Sequence, residues 1–187
     1  MIVFRVCDSR YPFLWTAANG AHQREGRWHA RGEGPVQYFA DTPAGAWAEL
    51  LRHEEITDAG DLAGIFARIW AVHLDDAVEA RVPELPLAAM QSDPDGYGTC
   101  REEARRLRAA GVIRLVVPSA ALKPGAAAGY QVGATGLHSG VGRDGKVIVH
   151  FGPLPEAQGW CTAEGGQPPR ESLDSVRHYV SAEKDAT

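Results

Sequence analysis

The chain has 187 residues, 44% of them hydrophobic, 23% charged and 8% aromatic. That is enough apolar material for the core of one globular domain and too much for a disordered tail or a disulfide-stapled mini-protein. Nineteen basic residues against 24 acidic ones give a net charge of -5, which argues against a protein that coats nucleic acid or anionic lipid.

The basic residues are 16 Arg and only three Lys. This bias, like the 29 Ala, fits a GC-rich genome, so what matters is where individual arginines sit. A guanidinium can grip a phosphate or carboxylate with two parallel bonds. Cys7, Cys100 and Cys161 are isolated thiols with no CxxC pair, which points to a reducing compartment and to neither a disulfide framework nor a zinc ribbon. The opening MIVFRVCDSR places Arg5 inside its only apolar stretch, leaving no apolar region for a signal peptide. No run approaches the ~20 apolar residues of a membrane span. A cytoplasmic protein with no membrane partner is the expectation.

In chain order, Ile2 to Val6 is short and β-branched and reads as an opening strand containing Arg5. Gly20 to Gly34, GAHQREGRWHARGEG, is a loop whose only large apolar residue is Trp28. In the strand Val36–Ala40, alternation puts Val36, Tyr38 and Ala40 on one face and Gln37 and Phe39 on the other. Thr42 as cap and Pro43 at the first position start a helix running to about Glu55. Phe66–Leu74 reads as a long strand, followed by a Pro-containing segment through Pro94. Thr99 with Glu102 makes a capping-box pattern opening CREEARRLRAA, and Gly111 closes that helix. VIRLVVPS then reads as a buried strand.

After Ser119 the chain turns rich in Gly and Ala until an apolar strand, Lys146–Phe151. A Pro/Gly-rich stretch and a short strand at Val176–Val180 follow. No repeat or composition break splits the chain, so residues 1–180 read as one domain and 181–187 as a frayed tail.

The histidines are dispersed, and His53 on its helix has no second His one turn on, so no metal site is expected. No serine sits in a G-x-S-x-G elbow and no P-loop is present. What remains is an ordered series: Arg27 in the glycine-rich loop, Tyr38 on the next strand and Glu49 on the next helix, spaced eleven residues apart. Elements adjacent in sequence tend to pack together, so Tyr38 and Glu49 can line one cleft closed by the Arg27 loop. Glu49 has Ala46 and His53 as its helical neighbours and lies at the edge of the apolar face. A carboxylate there is costly to bury unless paired, and on these residues alone a surface pairing with Arg52 or His53 stays open.

The run EGRWHARGEGPVQYFADTPAGAWAELLRH resembles the signature of the RES domain, and AGVIRLVVPSA resembles the family's second signature, the strand ending in P-S-A. The resemblance spans about residues 2 to 152. The family's namesake Arg, Glu and Ser fall on Arg27, Glu49 and Ser119. Glu25, His29 and Ala121 depart from the usual residues and put the shape of the pocket in question.

The resemblance implies a mixed α+β domain with an ADP-ribosyltransferase-like split β-sheet and flanking helices. It also implies a toxin that depletes NAD+, held by a cognate helix-turn-helix antitoxin. On that reading Arg27 holds the pyrophosphate, Gly26 and its neighbours allow close approach, and Tyr38 offers a ring for stacking. Glu49 stabilises the oxocarbenium-like state, and Ser119, at the end of a central strand, orients it without acting as nucleophile. Arg5 and His53 are further candidates for the cleft wall, and Trp28 is a packing anchor. NAD+ is then the substrate, with no metal. Water or phosphate as acceptor (a glycohydrolase or a phosphorylase), protein ADP-ribosylation, and a non-enzymatic nucleotide- or partner-binding module all remain open.

Overall fold

The computed structural model describes residues 1–8 and 10–180; the expected frayed tail, 181–187, lies outside them. The β-branched opening forms β1 (Ile2–Asp8), and β2 (Val36–Ala40) follows the glycine-rich loop. Next come α1 (Pro43–His53), β3 (Ala67–His73), the short α2 (Leu87–Met90), α3 (Tyr97–Ala109) and β4 (Arg114–Pro118). A hairpin of β5 (Tyr130–Gly133) and β6 (Gly136–Ser139), then β7 (Lys146–Phe151) and β8 (Gln158–Gly166), complete the elements.

Six strands form one sheet in the order β4-β7-β2-β1-β3-β8, with every pairing antiparallel. Its two halves are unequally joined. β2 pairs with β7 from Val36 to Ala40, and β1 pairs with β3 along its whole length. β1 and β2 meet only at Phe4 and Ala40. The sheet opens between them, giving a mixed α+β domain with a split sheet.

Register assigns the faces. Val36, Leu115, Val117, Val149 and Phe151 share one face, where they pack under α2 and α3 with Met90, Cys100, Ala104 and Leu107. The three buried α3 residues fall at i, i+4 and i+7, the stripe a helix needs to cover a sheet. On the same side α1 packs through Ala48 and Leu51 against Ala121, Leu122 and Val176. The opposite face carries Val3, Phe39, Val72 and Ile148 and is covered by Leu14, Phe13 and Leu154.

Several expectations need correction. α3 starts at Tyr97, so Thr99 lies inside it and caps nothing; Gly96 takes the cap position without a side-chain bond. Gly111 does end the helix, at φ +83°, with the Val112 N–H donating to the Leu107 carbonyl, the bond of a Schellman close. β4 is an edge strand, not a central one; its outer side is covered by a single bridge from Arg81 to Leu115. Val176–Val180 is no strand: Val176 makes one bridge to Leu122 and the rest is an irregular strap. The Pro/Gly-rich stretch holds β8, and the Gly/Ala-rich one holds the β5–β6 hairpin.

Candidate active site

Thr42 Oγ1 accepts the Gly45 N–H at 3.0 Å and Pro43 opens α1, which fixes the helix start and so the angular position of Glu49 two turns later. Ser119 follows the last residue of β4. Its hydroxyl accepts the N–H groups of Ala121 (3.2 Å) and Leu122 (3.0 Å) and donates its proton to Glu49 Oε1 at 2.8 Å. With both lone pairs held by backbone, the Ser119 proton has one direction. The serine positions a carboxylate, in a turn geometry typical of Ser and Thr.

Burial raises the Glu49 pKa. The Ser119 bond and then the charges of Arg27 and Arg52 pull in the other direction without overcoming it. A carboxyl desolvated in this way, aimed by a serine hydroxyl, makes Glu49 a candidate for the chemistry of the site.

Arg27 is carried by the loop that crosses from β1 to β2. Trp28, 1% exposed, drives into the core under α3 and anchors the loop; removing such a side chain typically costs about 3–5 kcal/mol. The Trp28 N–H donates to Tyr38 Oη at 3.1 Å. His29 Nε2 lies 3.0 Å from the Arg24 carbonyl, so that nitrogen must carry the proton. Nδ1, 2.8 Å from Tyr38 Oη, then accepts the tyrosine proton. Burial lowers the His29 pKa, consistent with this neutral tautomer. Tyr38 therefore ties the loop down through its hydroxyl, which burial keeps protonated. Gly26 is confined here: a Cβ would lie 2.8 Å from Tyr38 Oη and 3.1 Å from His29 Cε1.

The Arg27 guanidinium is loosely held. It lies 4.4 Å over the Tyr97 ring, with Nη1 donating to Ser92 Oγ at 3.3 Å and Nη2 to Tyr97 Oη at 3.5 Å. Among the described residues it forms no ion pair. Its charge nevertheless acts on both Tyr38 and Glu49, so Arg27, Tyr38, Glu49, Ser119 and Gly26 come together on one face of the sheet.

Arg5 and His53 do not join them. Arg5 alternates with Val3 and Cys7 on the opposite face, donates to Gln37 Oε1 at 3.4 Å and pairs across from Trp70. His53 is exposed at the end of α1. The inward residue of that last turn is Arg52, whose side chain is 3% exposed. It donates to the Ala120 carbonyl at 2.5 Å, the Arg177 carbonyl at 2.8 Å and Asp93 Oδ1 at 2.9 Å, and stacks 4.5 Å from the Tyr179 ring. Sequence reasoning offered Arg52 only as a surface partner of Glu49 and passed over Ser92, Tyr97 and Tyr179. For Arg52 a signal existed: it sits one turn after Glu49 beside Leu51, at a position an apolar face requires.

Among the described residues no three His, Cys, Asp or Glu side chains are placed to hold a metal ion, and no helix is long and apolar enough to cross a membrane.

No curated protein matches the chain. A chain of the M. tuberculosis MbcT–MbcA toxin–antitoxin complex has a similar fold at 14% identity, with a TM-score of 0.56 over 92% of this chain and 86% of that one. The model of the RES domain matches residues 2–134, a span holding Arg27, Tyr38, Glu49 and Ser119. The chain belongs to the RES domain family.

Proposed function

We propose that the protein is an NAD+-degrading toxin of a toxin–antitoxin pair that cleaves the bond between nicotinamide and ribose. The observation that supports this most is the pairing of a Ser119-oriented, desolvated Glu49 with an Arg27 left short of partners.

In the proposed reaction the C–N glycosidic bond breaks, its electron pair leaves with neutral nicotinamide, and positive charge develops on the ribosyl ring. Ionised Glu49 stabilises that charge directly or by accepting bonds from the ribose hydroxyls. Arg27 holds the diphosphate by charge-assisted bonds. Tyr38 and Gly26 hold the Arg27 loop at its distance, and Ser119 keeps the carboxylate aimed. A new C–O bond then forms at the carbon that nicotinamide left, either to water, which gives up a proton to solvent, or to an oxygen of phosphate. The likeness to a chain of a toxin–antitoxin complex supports a cognate antitoxin as partner, and the family resemblance suggests a helix-turn-helix protein for that role.

The test is to incubate the protein with NAD+, with and without phosphate, and to follow free nicotinamide for wild type and E49A. Release by wild type that E49A loses supports the reading, and the phosphate dependence identifies the acceptor. No release under either condition removes the reading and leaves a binding module. Label transferred from NAD+ to protein supports ADP-ribosylation instead.

A further inference from the structure

The loop before α3 and the first residue of α3 bring the Ser92 and Tyr97 hydroxyls to the Arg27 guanidinium, and the strap 176–180 brings a third, Tyr179, to Tyr97; of these only Tyr179 lies outside the span matched by the family model. Ser92 Oγ and Tyr97 Oη take the two long bonds from Arg27. Tyr97 Oη is also 3.5 Å from Tyr179 Oη, so each tyrosine's remaining bond is at the limit of hydrogen-bond length. Burial keeps the Tyr97 hydroxyl protonated, hence a donor.

The strap is fixed independently of this cluster. Arg52 donates to the Arg177 carbonyl and stacks under Tyr179, the Arg177 N–H donates to the Ala121 carbonyl, and the Val180 N–H donates to Asp93 Oδ2 at 3.2 Å. Asp93, on the same loop as Ser92, is engaged by Arg52 at 2.9 Å and forms no ion pair with Arg27. Tyr97 and Tyr179 are both only half-buried, so a ligand can reach them. A cation in no ion pair among the described residues, whose bonds to two neutral hydroxyls are long, has donors to spare for an acceptor with several oxygens.

We propose that Ser92, Tyr97 and Tyr179 complete a diphosphate-binding subsite around Arg27, with the C-terminal strap supplying Tyr179 as a residue that determines specificity for nucleoside diphosphates over monophosphates. On binding, the two tyrosine hydroxyls turn from each other to phosphate oxygens, and Arg27 exchanges its long neutral bonds for short charge-assisted ones. The inference rests on the reading of the pocket as a dinucleotide site but not on any cleavage.

The experiment is calorimetric titration of the full chain with ADP and with AMP, for wild type, Y97F and Y179F. Phenylalanine keeps each ring on its guanidinium, and melting curves confirm that both variants are folded. Wild type is expected to bind ADP more tightly than AMP, and each variant to reduce that preference about tenfold, the worth of one bond to a charged oxygen. No ADP binding by wild type, or a preference unchanged in both variants, overturns the subsite. The expected pattern in a protein that releases no nicotinamide leaves the subsite standing while removing the proposed reaction.

Discussion

Two arginines stack on tyrosines at nearly the same distance, Arg27 on Tyr97 at 4.4 Å and Arg52 on Tyr179 at 4.5 Å, yet their surroundings are opposite. Both terminal nitrogens of Arg52 are engaged, with carbonyls of two separate segments and with Asp93, at 2.9 Å or less. Arg27 is part-exposed and has two bonds of 3.3 and 3.5 Å to neutral hydroxyls. A buried cation with both terminal nitrogens committed to the protein's own oxygens acts as a clamp, even though the Arg52 Nε has no partner among the described residues. A cation left under-bonded beside a desolvated carboxylate has capacity left for a ligand. Coordination, not residue type or stacking, separates the clamping arginine from the one proposed to hold the ligand.

The comparison breaks most readily at Arg52. Replacing it with Ala leaves the Ala120 and Arg177 carbonyls and Asp93 without their donor, and a loss of about 3–5 kcal/mol in denaturant unfolding is expected. A loss under 1 kcal/mol would mean that the clamp is dispensable. Arg27→Ala should behave in reverse, with a change in stability within about 0.5 kcal/mol and a fall in NAD+ turnover of about 100-fold or more.

Gly26→Ala sits between the two. Its Cβ would meet Tyr38 Oη and His29, so the loop must shift at a cost of about 1–3 kcal/mol, and turnover should fall by more than stability alone explains. Turnover equal to wild type would remove the Tyr38–His29 tether from the account.

The smallest effect concerns pH. The folded-state pKa of Glu49 is raised by burial above its ordinary value of 4.5, so across the window upward from that value the native state binds more protons than the unfolded one. Stability carried by the protonated carboxyl is therefore lost as pH rises through the folded pKa. Glu49→Gln should melt higher than wild type at pH 8, and the gain should fade below about pH 4.5, where unfolded Glu is also protonated. Turnover, which needs the ionised form, should rise with pH through the same raised pKa; a limb centred at the ordinary value would contradict the desolvated placement.

His150 provides a control for this sign. Burial first, and then the Arg114 charge, lower its pKa to about 4. The unfolded state thus binds more protons between about 6.5 and 4, and stability is lost as pH falls through that window. His150→Gln should flatten the acid side of the stability profile and leave the Glu49 limb in place.

The local part of this site was legible in the sequence. Thr42 and Pro43 fix where α1 begins, alternation fixes which way Tyr38 faces, and the glycines mark the Arg27 loop. What was not legible depends on pairings between distant segments. Alternation puts Arg5 with Val3 and Cys7, but only the register of β1 against β2, a single pair at Phe4 and Ala40, shows that this face is turned away from Tyr38. Arg52 carries the composition of a surface residue and is buried because the strap and the Asp93 loop close over it. Tyr97 falls between the Pro-containing segment ending at Pro94 and the helix expected from Thr99, and Tyr179 reads as part of a strand. β8 is missed because an edge strand exposed along most of its length needs few β-branched or apolar residues. The family resemblance supplied Ser119 correctly placed after its strand, though that strand is at the edge of the sheet.

The most direct measurement is nicotinamide released from NAD+ by wild type and by Arg27→Ala, each shown folded by its melting curve. Wild type should release nicotinamide, and the variant should lose about 100-fold or more at an unchanged melting temperature. Equal release by the two proteins, or no release by wild type, would contradict this expectation.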